Sequence, residues 1–436
     1  MRKILIAAIG FVALIYSIGH SQRLLTLEES IETALKNNWS YRNAIWANKS
    51  AGNDLWSAWG RFLPSLDFNF SNSSLAFGPN SPIIDESGIP RPGTPSFKTK
   101  SYSAGFYASQ VLFDGGANIF NLSSKLAAKG ASDYSLLYNK QNLVFTVKQS
   151  YFDLIKSIML LKVQEEVLKR SEQQLKIAQT RFELGSASKS DFLKAKVQLG
   201  RDKLSLLQAQ NQVQVSRANL NAVMGQSPDQ DFEVQEELGR ENFSLSYEEC
   251  VDQAYKNNPL IRQRDHDIDA AEGQMRAARG AFLPRVAARG DYTWRGSALD
   301  DISGIWDKDY QWGVGLSVSF NIFEGFQTQN TYLNSRNSVK IAKENQASAK
   351  SEVALEVKQS FLAIEEGSQS ITVTEQNVEA AEEDLNLVQE KYRLGAASIL
   401  ELLDAQVSFQ TANSDQIQAL FDYNLAVARL ERAIGK

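Results

Sequence analysis

Two stretches of the chain carry apolar side chains at every seventh position. Val147, Leu154, Leu161, Leu168, Leu175 and Phe182 make one line, and Val357, Ile364, Ile371, Val378, Leu385 and Tyr392 repeat it 210 residues later. A strict seven-residue repeat is the seam of a left-handed coiled coil. No proline falls between Gly115 and Gly185 or between Gly325 and Gly395. The pattern therefore predicts two helices of ~65–70 residues, each about 100 Å long. After each closing glycine a second apolar line returns, through Leu199, Leu206, Val213 and Leu220, and through Phe409, Tyr423 and Leu430. Gly185 and Gly395 suit the left-handed position that ends a helix. Ser188 with Asp191 and Ser398 with Glu401 read as capping boxes that start the next one. A further helix is expected before each coil, over Thr26–Leu63 and Ser246–Leu283.

Between Pro64 and Phe113 the period falls from seven to two. Leu66, Phe68 and Phe70 alternate with Asp67, Asn69 and Ser71; Trp312, Val314, Leu316, Val318 and Phe320 alternate with Gln311, Gly313, Gly315, Ser317 and Ser319. These are strands with one apolar and one polar face, forming hairpins at about 65–113 and 285–322. A membrane barrel needs that alternation, and so does a soluble sheet packed on a core. Five of the nine prolines lie between Pro79 and Pro95, where the first hairpin is ten residues longer than the second. Length variation confined to a Pro/Gly/Ser-rich tip marks an exposed loop and favours the barrel.

The two halves share more than period. Glu28-Glu29, Ala34, Lys36-Asn37-Asn38, Arg42 and the Phe62-Leu63-Pro64 triplet recur 220 residues later; Lys148-Gln149-Ser150, Leu184-Gly185, Ala187-Ser188 and Leu220 recur at 210. The chain reads as two copies of one unit, 22–225 and 246–436, joined by a linker at 226–245.

Composition narrows the function. The 436 residues carry a net charge of −5, against the basic face of a nucleic-acid binder. One cysteine, Cys250, and two histidines, His20 and His266, leave no disulfide framework and no ligand set for a metal or cofactor. No nucleotide-binding loop or catalytic triad is present, so no enzyme is expected; Glu365-Glu366 and Glu382-Glu383 read as solvated helix faces. Arg2 and Lys3, an apolar run from Ile4 to Ile18, then Gly19 and Ser21 have the order of a secretory leader over 1–21. The run is short for a membrane span.

The duplicated helix–hairpin–helix plan, the two Phe-Leu-Pro junctions and the paired turns RFELGSASKSDFLKA and KYRLGAASILELLDAQ resemble the TolC family of outer-membrane efflux proteins over essentially the whole mature chain. The resemblance implies an α+β membrane protein. Four strands per protomer would join a twelve-stranded barrel shared by a homotrimer, and the coiled coils would form a helical barrel in the periplasm. The implied function is a passive exit duct in outer-membrane lipid, energised by an inner-membrane pump through a periplasmic adaptor protein. The adaptor is expected at Leu184, Gly185 and Ser188 and at Leu394, Gly395 and Ser398. In the family an acidic pair past the second glycine lines the narrowest aperture, and Glu401 and Asp404 match it. A well-known member has an arginine where this chain has Ala397. Glu401 is also the acid of a capping box, whereas Asp404 is not, and Lys194 stands at its place in the first copy. An adaptor with a single coiled-coil hairpin lacks the duplication, and a diffusion porin has no use for such helices.

Overall fold

The computed structural model describes residues 24–84, 86–235, 239–241, 243–302 and 310–436; the leader read at 1–21 lies outside them. In chain order, helices α1 (Leu27–Asn37) and α2 (Trp39–Gly60) precede strands β1 (Ser65–Phe77) and β2 (Phe97–Phe113), long helix α3 (Ala117–Glu183) and helix α4 (Lys189–Met224). Helices α5 (Tyr247–Asn257) and α6 (Pro259–Gly280), strands β3 (Arg285–Gly296) and β4 (Tyr310–Ser319), long helix α7 (Gln327–Leu394) and helix α8 (Ile399–Ala433) complete the chain. The long helices have 67 and 68 residues, several times the ordinary globular length.

One unit comprises residues up to Ala47, Tyr134–Arg262 and Ala347–Lys436. Its apolar material lies in two clusters. Val147, Leu154 and Ile155 of α3 pack with Val213, Leu220 and Met224 of α4; Val353, Val357 and Ile364 of α7 pack with Tyr423, Val427 and Leu430 of α8. The linker after α4 is tied down by side chains: the two Asn424 side-chain atoms bond Gly239 O (2.9 Å) and Glu241 N (3.2 Å), and the Tyr423 hydroxyl donates to Glu241 O at 2.8 Å.

Two sequence expectations need correction here. The helices expected over Thr26–Leu63 and Ser246–Leu283 are each broken by an asparagine. Asn38 and Asn258 are extended (ψ 127° and 122°), and each N–H closes the preceding helix on the carbonyl of Ala34 or Ala254. Their side-chain oxygens then accept from Tyr41 N (3.0 Å) and Leu260 N (2.9 Å), so one residue ends a helix and caps the next. Their amides donate to Val223 O and Ala433 O, both at 2.9 Å, fastening the break to the last turn of α4 or α8. Pro259 opens α6, and a proline forces the residue before it out of helix.

The second correction concerns the α3 seam. Val147 and Leu154 are buried, but Leu161, Leu168 and Leu175 are half-buried and Phe182 is exposed. Burial passes instead to Ser171, Gln174 and Ala178. A straight helix drifts about 20° per heptad, and here polar contacts take over: Ser171 donates to buried Asp202 of α4, which also accepts from Gln198 Nε2 at 2.9 Å. The α7 seam keeps Val357, Ile364, Ile371, Leu385 and Tyr392 buried.

The other unit, Asn48–Asp133 and Gln263–Gln346, holds the sheet. Its order is β1-β2-β3-β4, every neighbour antiparallel, with β1 and β4 at the edges. The register sorts the faces. Phe68, Phe106, Tyr292 and Trp312 form one row across the four strands; Asp67, Tyr107, Asp291 and Gly313 form the adjacent row, on the opposite face. Along β4 the apolar side chains Trp312, Val314, Leu316 and Val318 are all exposed. At the end of this unit, Gly325 (φ 59°) and Phe326 (φ 66°) both adopt left-handed conformations before α7 begins. For a non-glycine residue that costs about 1–2 kcal/mol.

The asparagine joints lead to a stability prediction. Asn258→Ala removes a cap and leaves Ala433 O without its donor, so the helical unit should lose about 2 kcal/mol. Exposed Lys256→Ala serves as the control. Chemical denaturation of both variants measures it, and equal stability would mean the joint is not held by the side chain.

Candidate functional site

Both helical turns are built by one local recipe. At the first, Gly185 has φ 75°; Gly185 N donates to Phe182 O (3.0 Å) and Ser186 N to Arg181 O (2.8 Å). At the second, Gly395 has φ 83°; Gly395 N donates to Tyr392 O (3.0 Å) and Ala396 N to Lys391 O (2.8 Å). This is the paired-bond closure that a left-handed glycine permits. Each next helix starts on a capping box. Ser188 Oγ accepts from Asp191 N at 3.1 Å, and Ser398 Oγ from Glu401 N at 3.2 Å. The acids reach back to Ser188 N at 3.3 Å and Ser398 N at 2.7 Å.

The turns leave apolar side chains in solvent. Leu184 is 77% exposed and Leu394 73%. Beside them, α4 and α8 border a groove of about 630 Å³ with Leu193, Val197 and Leu400 exposed along it and Lys189, Lys194 and Arg201 among its basic residues.

Arg181 joins the two turns, a role sequence reasoning missed. Its Nη2 donates to Tyr392 O (2.7 Å) and Arg393 O (2.8 Å), the carbonyls at the end of α7, and its guanidinium lies 4.7 Å from the Tyr392 ring centroid. A cation at a helix C-terminus also complements the dipole. Burial pushes the Tyr392 hydroxyl pKa up; Arg181 pulls it down and Asp191 adds to the rise.

The structure places Glu401 and Asp404 on one exposed face of α8, three residues apart. Glu401 is engaged in its cap. At Asp404 the backbone carbonyl accepts from Ser408 Oγ at 2.9 Å, and the side chain is exposed. Among the described residues no His/Cys/Asp/Glu group could hold a metal ion, and no helix is long and apolar enough to cross a membrane.

The sequence profile of the Outer membrane efflux protein family matches residues 30–226 and 250–436. The chain belongs to the outer membrane efflux protein family. It is 22% identical to the outer membrane efflux protein BepC of Brucella suis biovar 1 (strain 1330) over 373 residues, 85% of this chain and 80% of that protein. To the outer membrane protein TolC of Escherichia coli (strain K12) it is 25% identical over 346 residues, 76% and 69% of the two chains. Its fold matches the CmeC outer membrane channel of Campylobacter jejuni with a TM-score of 0.80 at 16% identity, covering 94% and 85%. As a family member, the chain is an exit duct of the outer membrane. The family is one of conduits, not of enzymes.

The Arg181 clasp has a measurable consequence. Arg181→Ala leaves two carbonyls without a charged donor, a loss worth roughly 1.5–3 kcal/mol, or at least about tenfold in local opening. Hydrogen exchange at the amides of 392–402 should accelerate accordingly while the sheet is unaffected. Unchanged rates there would show that the turn holds without Arg181.

Proposed function

We propose that three copies of this chain close a twelve-stranded barrel, the β4 edge of one copy pairing with the β1 edge of the next. The observation that carries this is the open four-stranded sheet, which presents a continuous row of aromatic side chains on one face and a polar row on the other. In hydrocarbon every strand edge must be paired, so four strands cannot span alone. The apolar face then meets lipid and the polar face lines water.

In this reading the chain is two copies of one unit, 22–225 and 246–436, joined at 226–245. The coiled coils carry the conduit into the periplasm. The exposed leucines of the turns and the apolar, basic-rimmed groove between α4 and α8 support docking of a periplasmic adaptor at Leu184, Gly185, Ser188, Leu394, Gly395 and Ser398. Transport is driven by an inner-membrane pump, and the duct itself performs no catalysis.

Detergent-extracted protein should be a trimer by light scattering and retain its β signal. A monomer with an intact sheet in a membrane mimic would overturn the barrel. The aperture is tested separately. Glu401 and Asp404 from three copies would place six carboxylates around one axis, favouring cations by roughly tenfold or more. Conductance in planar bilayers should be cation-selective and blocked by multivalent cations. Asp404→Asn should relieve the block more than Lys194→Ala. An unchanged block in the Glu401→Gln, Asp404→Asn double variant would exclude these residues from the aperture.

A further inference from the structure

We propose that Arg61 and Arg285 form an anion-binding site at the helix end of the sheet's polar face, taking soluble molecules that carry two or more phosphate or carboxylate groups. The proposal rests on the barrel reading above and gives the duct a class of cargo that it holds on the way out.

The two arginines line one cavity of about 1000 Å³. Ser65, Ser109 and Ser319 line it too, and the register puts all three on the face of Asp67 and Asp291. Ser65 Oγ and Ser109 Oγ lie 2.9 Å apart there. Arg285 stands on the same face at the start of β3, and Arg289 follows it about 13 Å further along the strand. Both Arg61 and Arg285 are exposed. Among the described residues neither side chain has an ion pair or a hydrogen bond.

Two carboxylates border the same cavity, and each is engaged at a helix start. Asp114 Oδ2 accepts from Asn118 N of α3 at 3.0 Å, and Glu324 Oε2 accepts from Thr328 Oγ1 of α7 at 3.0 Å. The partial positive charge of those helix N-termini offsets the acids, and the guanidiniums remain as excess charge. A guanidinium is charged at every working pH, and its fork fits a carboxylate or phosphate. A ligand with two anionic groups engages both forks at once, which multiplies the two affinities. The internal duplication argues that neither charge serves the fold. At the 220-residue offset Arg61 corresponds to Ala281, Arg285 to Ser65 and Arg289 to Asn69. The junction is built in the other half without these charges. In the barrel reading this face lines water within low-dielectric walls, which focus its field. The ligand is therefore a dissolved anion rather than a lipid headgroup.

The experiment uses the full chain extracted in uncharged detergent. Arg61→Ala and Arg285→Ser, singly and together, borrow residues that the other half carries at the same places. Tripolyphosphate binding is measured by calorimetry, and the oligomeric state by light scattering on the same samples. Each single variant should weaken binding at least about threefold, and the double variant at least about tenfold. Arg276→Ala, on α6 beside Glu272, should leave it unchanged. A wild-type trimer that does not bind, or an unweakened double variant, overturns the site. Equal loss in Arg276→Ala reduces it to diffuse surface charge. Binding by a monomer would overturn the barrel and leave the anion site standing. In planar bilayers, tripolyphosphate should block conductance from one side only, in phosphatidylcholine and phosphatidylglycerol alike. A block removed by phosphatidylglycerol would assign the arginines to lipid headgroups and overturn a dissolved ligand.

Discussion

An unpaired strand edge is the constraint on which the rest of this molecule depends. Each backbone N–H and C=O on β1 and β4 that faces away from the sheet needs a partner, and hydrocarbon supplies none. A four-stranded sheet with an aromatic face therefore has no stable existence in a bilayer as a monomer. In the proposed barrel, assembly is a condition of insertion, and the symmetry of the duct would follow from this hydrogen-bonding requirement.

The helical part meets the same requirement at its ends. Each long helix would expose four carbonyls and each returning helix four amides. Left-handed Gly185 and Gly395 turn the chain back on its own carbonyls, and Ser188 and Ser398 cap the amides. The carbonyls of Tyr392 and Arg393 are served by Arg181 from the other hairpin. Local sequence closes each turn, and a long-range cation couples the two.

That division explains what could be read from sequence. The long helices were legible because a seven-residue apolar repeat runs unbroken by proline, and the turns because glycine, serine and acid stand at fixed spacing. The faces of β1 and β4 were legible from alternation, whereas β2 alternates too weakly to be read that way. The break at Asn258 had a visible cause in Pro259, but its twin at Asn38 is followed by Trp39 and carries no such mark. Arg181 could not be found, since its partners lie 211 and 212 residues away. The drift of the α3 seam was hidden because Ser171 and Asp202 look like surface residues until they face each other. The shared face of Glu401 and Asp404 followed from their spacing, and the cap on Glu401 followed from Ser398.

Ser171 and Asp202 also set the two coiled coils mechanically apart. The corresponding positions 210 residues later are Ala381 and Ala412. A carboxylate held between Ser171 and Gln198 fixes the axial register of α3 against α4, because a shift of one residue would strand a buried charge. Methyl groups impose no such rule; neighbouring helices can slip or twist past them with only dispersion contacts exchanged. The first hairpin thus carries a polar lock on its register, where the second relies on the apolar packing of Leu385 and Tyr392 against Leu402 and Ala405.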